Sequence, residues 1–270
     1  MNNEIENAEV LITVKTYPRP TPAYDEIVCT AGILNNGSWI RIYPIPFRNM
    51  PYSQQYKKYD WIRLDLVKKK TDERIESYSP KKMFDEKIMI EGHIGTDKKW
   101  EERKNLLLKN VYLSMQDLID DSYHQKKSLG VVKPKEIINF KITTEKRNWE
   151  KRYIDRMQQM RLFSTVNSSL PSHKRIVKKL PYSFSYEFIT DDNMKRQMSI
   201  FDWEIGALFW NCLKSSKGDE KIALQKVREK YFDEFVSKKD VFFFMGSNYS
   251  YFKRKFPNPF SIVGVFYPPK

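Results

Sequence analysis

Asn36 and Gly37 separate two apolar runs, and this dipeptide constrains the fold more than any other feature of the chain. A two-residue Asn-Gly loop favours the type I′ turn that joins two antiparallel strands. Counting outward from such a turn places Gly32 opposite Arg41. The sequence therefore predicts a β-hairpin over residues 29–43.

Alternation of side chains gives this hairpin two unlike faces. The apolar face is predicted to lie in the core and consists of Cys29, Ala31, Ile33, Ile40 and Ile42. The opposite face carries Trp39, Arg41 and Tyr43. Two interpretations follow for that second face. Either it binds a flat ligand, or the two rings pack under a neighbouring element while Arg41 reaches solvent.

Residues 10–17 and 61–67 repeat the alternation, with apolar side chains on one face of each segment. If these segments share a sheet with the hairpin, the other face extends across all of them. We call it the predicted aromatic-basic face, and its members are Lys15, Tyr17, Trp39, Arg41, Tyr43, Trp61 and Arg63. Cations interleaved with aromatic rings suit stacking on nucleobases and pairing with phosphates.

Loops next to these strands add further cations. Proline-rich stretches after the first and third predicted strands carry Arg19 and Arg48. Residues 249–256 form another segment dense in aromatic rings and cations, including Lys253 and Arg254. Loops held by a sheet frequently carry binding residues, so we predict that these cations contact nucleic acid.

The charge balance points to the same class of partner. The chain has 48 Lys and Arg against 34 Asp and Glu, a net charge of +14. Residues 141–180 alone hold eleven Lys and Arg against three Asp and Glu. A polyanion such as DNA or RNA is the expected partner, and a merely solvated basic surface is the alternative.

Asp202 and Glu204 are the candidate catalytic residues. They lie in the first turn of a predicted helix, where they act as acid, base or metal ligand in an enzyme, or simply cap the helix and complement its dipole. Asp72 and Glu76 form a second acidic pair. The sequence contains neither a phosphate-binding glycine loop, nor a nucleophile elbow, nor zinc-type Cys/His spacing, so it predicts no cofactor and no metal site.

The predicted fold class is α+β, with a mainly antiparallel N-terminal sheet, a PUA-like barrel as one form of it, and flanking helices. A β-rich region with two covering helices is expected over residues 1–145 and a basic segment over 146–175. An α+β region follows over 176–270, and its last strands pair back onto the first sheet as one alternative. Without an apolar run of 18 residues or a signal peptide, we expect a cytoplasmic protein with no membrane partner.

Several segments resemble a family of uncharacterised bacterial proteins, and the likeness spans residues 11–269. These segments are LITVKTYPRP, EIVCTAGIL, GSWIRIYPIPFR, the DWE of residues 202–204, FFFMG and FSIVGVFYPP. The resemblance implies no activity, but it implies an association with genome-defence genes. The short strands with basic and aromatic faces are also similar in style to PUA-like domains, which are small barrels that read RNA or modified bases.

Three functions remain open on the sequence. The first is a nucleic-acid-binding protein that uses the predicted aromatic-basic face, with a role in genome defence implied by the resemblance. The second is a nuclease, or a hydrolase that processes nucleotides or bases, with Asp202 and Glu204, or Asp72 and Glu76, as acid/base residues or metal ligands. The third is an adaptor whose aromatic face docks a protein partner.

Overall fold

A closed β-barrel forms the first half of the molecule in the computed structural model, which describes residues 3–20, 26–82, 87–152, 154–155 and 177–270. Its strands are β1 (Glu4–Lys15), β2 (Val28–Leu34), β3 (Trp39–Ile45), β4 (Asp60–Lys68), β5 (Ser77–Pro80) and β6 (Met89–His93). The first five run in the order β1-β2-β3-β5-β4, and β1 also pairs with β4, which closes the ring. Only β3 and β5 pair in parallel within this five-stranded ring.

The barrel interior is filled by the apolar side chains that alternate along its strands. Val10 and Ile12 of β1 meet Ile62 and Leu64 of β4 there, together with Tyr56 from the connection before β4. A barrel of so few strands is wide enough only for side chains, so this interior is a packed core and not a channel. Binding must therefore occur on its outer surface or at its rim.

The β2–β3 hairpin differs from the predicted type I′ turn. The Gly37 N–H donates to the Leu34 carbonyl over 2.8 Å, and Gly37 has φ +84°. This is the pattern of a type I turn followed by a left-handed glycine, which adds a residue to the loop. Ala31, and not Gly32, therefore pairs with Arg41. The predicted register is wrong by one residue. A type I′ turn would need both Asn36 and Gly37 in the left-handed conformation, and only Gly37 adopts it.

The shift changes which side chains share a face. Ile40 and Ile42 point into the barrel. Ala31 pairs with Arg41 and Ile33 pairs with Trp39, so Ala31 and Ile33 lie on the outer side of the barrel with those two residues. The prediction that the five apolar residues of the hairpin share one face is therefore wrong. Both faces are apolar over part of their length because a second layer covers the outside of the barrel.

The chain from residue 97 onward contains the α-helices and two further sheets. The helices are α1 (Asp97–Leu107), α2 (Met115–Gln125), α3 (Trp203–Ser215), α4 (Glu220–Arg228), a π-helical turn (Glu229–Glu234), α5 (Phe235–Lys238) and α6 (Tyr249–Lys253). The strands are β7 (Val111–Tyr112), β8 (Leu129–Val132), β9 (Glu136–Thr144), β10 (Tyr182–Ile189), β11 (Lys195–Ser199), β12 (Phe242–Ser247) and β13 (Phe260–Phe266). They form the sheets β11-β10-β9 and β13-β12-β8-β7. The molecule is therefore α+β with a mostly antiparallel barrel, as the sequence predicts.

The four-stranded sheet packs on the outer face of the barrel. Phe244 of β12 meets the Trp39 ring edge-on, with 5.8 Å between ring centroids. Trp61 and Ala31 belong to the same apolar cluster between the two layers. Of the last two strands, β12 pairs with β8 and β13 pairs with β12. Their sheet lies against the barrel and covers part of the predicted aromatic-basic face.

Three helix starts follow the capping pattern of the sequence. The side chains of Ser114, Asp202 and Asp219 each accept hydrogen bonds from backbone N–H groups of the first turn that follows. Most of the predicted basic segment, residues 156–176, lies outside the described residues. Within the described ranges, no helix is both long enough and apolar enough to cross a lipid bilayer.

Candidate binding cleft

A cleft of about 650 Å³ opens where the barrel meets β12 and β13. The barrel contributes the end of β1 together with parts of β2, β3 and β5, and the opposite wall comes from residues 246–250 and β13. The charged and aromatic side chains of the lining are Arg19, Arg41, Lys69, Asp72, Arg74, Tyr17, Tyr43, Tyr78, Phe201 and Tyr249. A cavity of this volume is in the range that proteins use for small ligands.

Hydrogen bonds of Tyr17 and Phe201 connect the rim of the barrel to the C-terminal part of the chain. The Tyr17 N–H donates to the Phe201 carbonyl over 2.9 Å, and the Phe201 N–H donates to the Ile262 carbonyl over 2.8 Å. The Tyr17 hydroxyl accepts from the Trp210 indole N–H over 2.9 Å and donates to the Lys178 carbonyl over 2.9 Å. The ring of Tyr17 is therefore held in one position at the edge of the cleft.

Arg41 is a buried cation with unused hydrogen-bonding capacity. Its side chain donates to the Ser128 carbonyl over 3.0 Å and to the Cys29 sulfur over 3.6 Å. Its Nε is buried with no hydrogen-bond partner among the described residues, and Arg41 forms no ion pair in that part of the chain. Burial lowers the pKa of Arg41, yet an arginine stays charged.

The backbone opposite Arg41 leaves room for it. Gly246 of β12 lies so close that a Cβ at this position would stand 3.4 Å from Arg41 Nη2 and 2.9 Å from a methyl of Val263. A larger residue at 246 would therefore press on the guanidinium and on β13. The glycine lets the second sheet approach the charged wall of the barrel.

Arg74 is by contrast fully engaged. It holds the Asp72 carboxylate with two hydrogen bonds, from Nε over 2.9 Å and from Nη2 over 2.5 Å, and donates to the Ser247 carbonyl over 2.7 Å. Although burial opposes ionisation, these bonds lower the pKa of Asp72. Glu76 accepts a hydrogen bond from the Ser128 N–H over 2.9 Å. The predicted acidic pair thus orders the wall behind the cleft.

Cations lie over aromatic rings at the mouth of the cleft. Lys69 Nζ is 4.6 Å from the centroid of the Tyr43 ring, and the Arg19 guanidinium is 4.4 Å from that of Phe201. Such pairs combine a flat apolar surface with a positive charge. The arrangement is suited to a ligand that contains both a planar ring and an anionic group.

The structure brings Tyr17, Arg19, Arg41 and Tyr43 together in the cleft, and it separates the other members of the predicted aromatic-basic face from it. Lys15 lies over the Phe47 and Trp203 rings, and burial lowers the pKa of Lys15 to about 8. Trp39 and Trp61 pack between the barrel and the second sheet. The prediction of one continuous exposed face is therefore wrong.

The remaining predicted cations have partners or positions outside the cleft. Arg63 pairs with Glu9 and Glu91, and Arg48 pairs with Glu26. Lys253 and Arg254 lie exposed at the end of α6, whose first residues line the cleft.

Asp202 and Glu204 belong to a separate ionic cluster. Asp202 is fully buried, and Lys58 Nζ lies 3.1 Å from it and 2.9 Å from Glu204. Burial raises the pKa of Asp202 to about 6. Although burial alone would lower it, Asp202 and Glu204 raise the pKa of Lys58. Asp202 caps α3 by accepting a hydrogen bond from the Glu204 N–H, which agrees with the capping interpretation, and its carboxylate also accepts one from Lys58 of the barrel.

The described residues contain no group of three or more His, Cys, Asp or Glu arranged to hold a metal ion. The cleft is lined by cations, hydroxyls and aromatic rings, together with the carboxylate of Asp72 and the thiol of Cys29.

Sequence reasoning missed several residues of the cleft: Cys29, Lys69, Arg74, Phe201 and Ser247. Cys29 was assigned to the core through the incorrect grouping of faces, although it lines the cleft. The run Lys68–Lys70 and the segment 249–256 were visible as charged or aromatic stretches. The sequence did not show that these two stretches meet at one cleft, because the residues that bring them together, such as Arg74 and Ser247, are 173 positions apart in the chain.

A thiol reagent is expected to modify Cys29 well before Cys212, since Cys29 is half-buried at the cleft whereas Cys212 is 8 % exposed within the core. Timed treatment of the native chain with N-ethylmaleimide, followed by peptide mapping by mass spectrometry, measures both rates. A Cys29→Ser variant serves as the control for assignment. Equal rates would mean that the cleft is closed to small molecules in solution.

Two family models match almost the whole chain. One, described as Domain of unknown function (DUF8758), matches residues 6–109, and the other, described as Domain of unknown function (DUF8757), matches residues 111–270. No curated protein matches the chain. Arg41 and Arg74 lie in the first matched region, whereas Ser247 and Tyr249 lie in the second. The cleft therefore requires both regions.

Proposed function

The chain belongs to the family described as Domain of unknown function (DUF8757), and we propose from the chemistry of its cleft that it binds nucleic acid by holding one nucleotide unit there. The observation that carries the proposal is Arg41, a buried guanidinium that lines the cleft and forms no ion pair in the described part of the chain. A phosphate oxygen is a suitable acceptor for such a donor because Arg binds phosphate in a planar, charge-assisted geometry.

The balance of charge in the cleft supports an anionic ligand. Four cations line it, Arg19, Arg41, Lys69 and Arg74, against the single carboxylate of Asp72. That carboxylate is already held by Arg74. Two positive groups at the mouth, Arg19 and Lys69, add to the field at the place where a phosphate would enter.

The aromatic rings supply the second half of the recognition. Tyr43 and Phe201 each carry a cation over the ring at the mouth of the cleft. Unpaired bases are recognised in many proteins by stacking on such rings and by pairing of the adjacent phosphate with Arg or Lys. The likeness in style to PUA-like barrels supports the same ligand class, and the role in genome defence belongs to this proposal as an implication of the family resemblance.

The enzyme alternative has less support from the structure. Of its two candidate residues, Asp202 is fully buried and bound to Lys58, whereas Glu204 is 41 % exposed but pairs with the same lysine. The protein-adaptor alternative needs an exposed aromatic face, but two of its rings, Trp39 and Trp61, pack in the contact between the two layers. A cleft with a buried unsatisfied cation favours a small anionic group over a flat protein surface.

Fluorescence anisotropy with labelled DNA and RNA oligonucleotides tests the proposal. Binding should weaken steeply with rising salt, because phosphate contacts release counterions. Tyr43→Ala should weaken it by about tenfold, the effect of losing one stacked base. Tyr52→Ala is the matched control, since Tyr52 is 89 % exposed on the barrel and outside the cleft. A folded Tyr43→Ala variant that binds as well as the parent chain would refute the assignment of this cleft.

A further inference from the structure

The end of α6 and the turn after it form an exposed surface beside the cleft, which we call the α6 shelf and define as residues 251–256. Tyr251 is 43 % exposed and Phe256 is 40 % exposed. Their rings stack on each other with centroids 4.7 Å apart and an interplanar angle of 28°. Two stacked aromatic rings open to solvent are a typical feature of a binding surface.

Cations accompany these rings. Lys253, Arg254 and Lys255 are all exposed, and none of them forms an ion pair in the part of the chain that the structure describes. Their charges are therefore free to act on a ligand. A polyanion fits this surface better than an apolar peptide because three adjacent positive groups flank the rings.

The shelf is held rigidly. Asn248 caps α6 by accepting from the N–H groups of Ser250 and Tyr251 over 2.9 and 3.4 Å. The Phe256 N–H donates to the Tyr251 carbonyl over 3.0 Å, and the Phe256 carbonyl accepts from the Tyr123 hydroxyl of α2 over 2.5 Å. A preorganised pair of rings loses little conformational entropy when a ligand stacks on it.

The shelf continues directly from the cleft. Asn248, Tyr249 and Ser250 line the cleft, and Tyr251 is the next residue of the same helix. One helical turn advances about 5.4 Å, and successive nucleotides of a stacked strand are about 3.4 Å apart. A strand with one nucleotide in the cleft would therefore place its neighbouring nucleotides near the shelf.

We propose that the α6 shelf is a second binding site, which stacks the bases next to the nucleotide held in the cleft. The ligand is then an unpaired segment of DNA or RNA, and neither a free nucleotide nor a duplex. Duplex bases already stack on each other and leave no face for Tyr251 or Phe256, whereas unpaired bases do. This inference rests on the proposed function, and it adds the length and the strandedness of the ligand.

The test compares ligand length with shelf variants. Affinity of the 270-residue chain is measured by calorimetry for a mononucleotide and for single strands of two, four and six nucleotides, as DNA and as RNA, and for a blunt duplex. We expect the affinity to rise about tenfold or more between one and four nucleotides. A Tyr251→Ala/Phe256→Ala double variant should lose that gain while binding the mononucleotide as before, and Tyr52→Ala should change neither value.

A second variant separates charge from stacking. Replacing Lys253, Arg254 and Lys255 with Gln should reduce the salt dependence of tetranucleotide binding, because fewer phosphates are neutralised. Equal affinity for mononucleotide and tetranucleotide, or for duplex and single strand, would overturn the shelf while leaving the cleft in place. Failure of the chain to bind any of these ligands would overturn both the shelf and the proposed function.

Discussion

Arg41→Gln is expected to weaken binding of a single-stranded oligonucleotide by about 100-fold. Each hydrogen bond from a charged donor contributes about 1.5–3 kcal/mol, and a factor of ten in affinity corresponds to about 1.4 kcal/mol. Arg41 is buried, lines the cleft and forms no ion pair in the described part of the chain. A phosphate bound to Arg41 would lose one or two hydrogen bonds from the guanidinium in the Arg41→Gln variant. Isothermal titration calorimetry at fixed ionic strength measures the change.

Arg63→Gln is the matched control for this loss. Both arginines project from the outside of the barrel, but Arg63 pairs with Glu9 and Glu91 away from the cleft. The control should therefore bind within about twofold of the parent chain. Arg41→Lys should bind with intermediate affinity, because lysine keeps the charge and loses the planar fork. If Arg41→Gln unfolds at the same temperature as the parent chain and binds equally well, Arg41 does not hold the ligand.

Lys58→Met is expected to lower the free energy of unfolding by about 3–5 kcal/mol, the usual effect of removing one partner of a buried ion pair. Lys58 and Asp202 are 5 % and 0 % exposed and lie 3.1 Å apart. The variant would leave the Asp202 carboxylate buried without its cation. Urea denaturation followed by tryptophan fluorescence measures the loss.

The double variant Lys58→Met/Asp202→Asn provides the control. The introduced asparagine would still cap α3, since asparagine caps helices about as well as aspartate, but it carries no charge. We expect the double variant to be more stable than the two single losses added together, by about 0.5–3 kcal/mol. Strict additivity would show that Lys58 and Asp202 do not stabilise each other.

The loss caused by Lys58→Met should also depend on pH. Burial already raises the pKa of Asp202 to about 6, and removal of Lys58 removes the main influence that lowers it. An Asp with a raised pKa binds a proton more tightly in the folded state than in the unfolded state, so the variant gains stability as pH falls. The destabilisation should be largest near pH 8 and smaller at pH 5. A loss that is equal at both values would contradict the assignment to Asp202.

Local sequence signals predicted the elements of this fold well. The alternating residues 182–189 and the apolar run 260–266 coincide with β10 and β13, and Ser114, Asp202 and Asp219 cap the helices that follow them. Alternation, capping side chains and turn residues act within a few positions, so they are readable from the chain itself. The predicted register of the hairpin was wrong because the backbone conformation of the turn residues decides between two loops of different length.

The candidate site was only partly readable. Tyr17, Arg19, Arg41 and Tyr43 were identified as ligand-binding residues from their chemistry, and they do line one cleft. Trp39 and Trp61 share the same residue pattern, yet they are covered by the second sheet. The pattern of one strand does not state which part of its face another layer will cover.

By itself the sequence determined the element types, the excess of positive charge and the presence of rings and cations on one side of the barrel strands. Only the tertiary structure decided which of these groups are open to a ligand, because burial depends on contacts between distant residues. Arg41 meets the carbonyl of Ser128, 87 positions away, and Arg74 meets that of Ser247, 173 positions away. Such contacts between distant residues decide which charged groups line an open cleft and which are packed between layers. Hydrophobic burial of the strands brings these distant residues together.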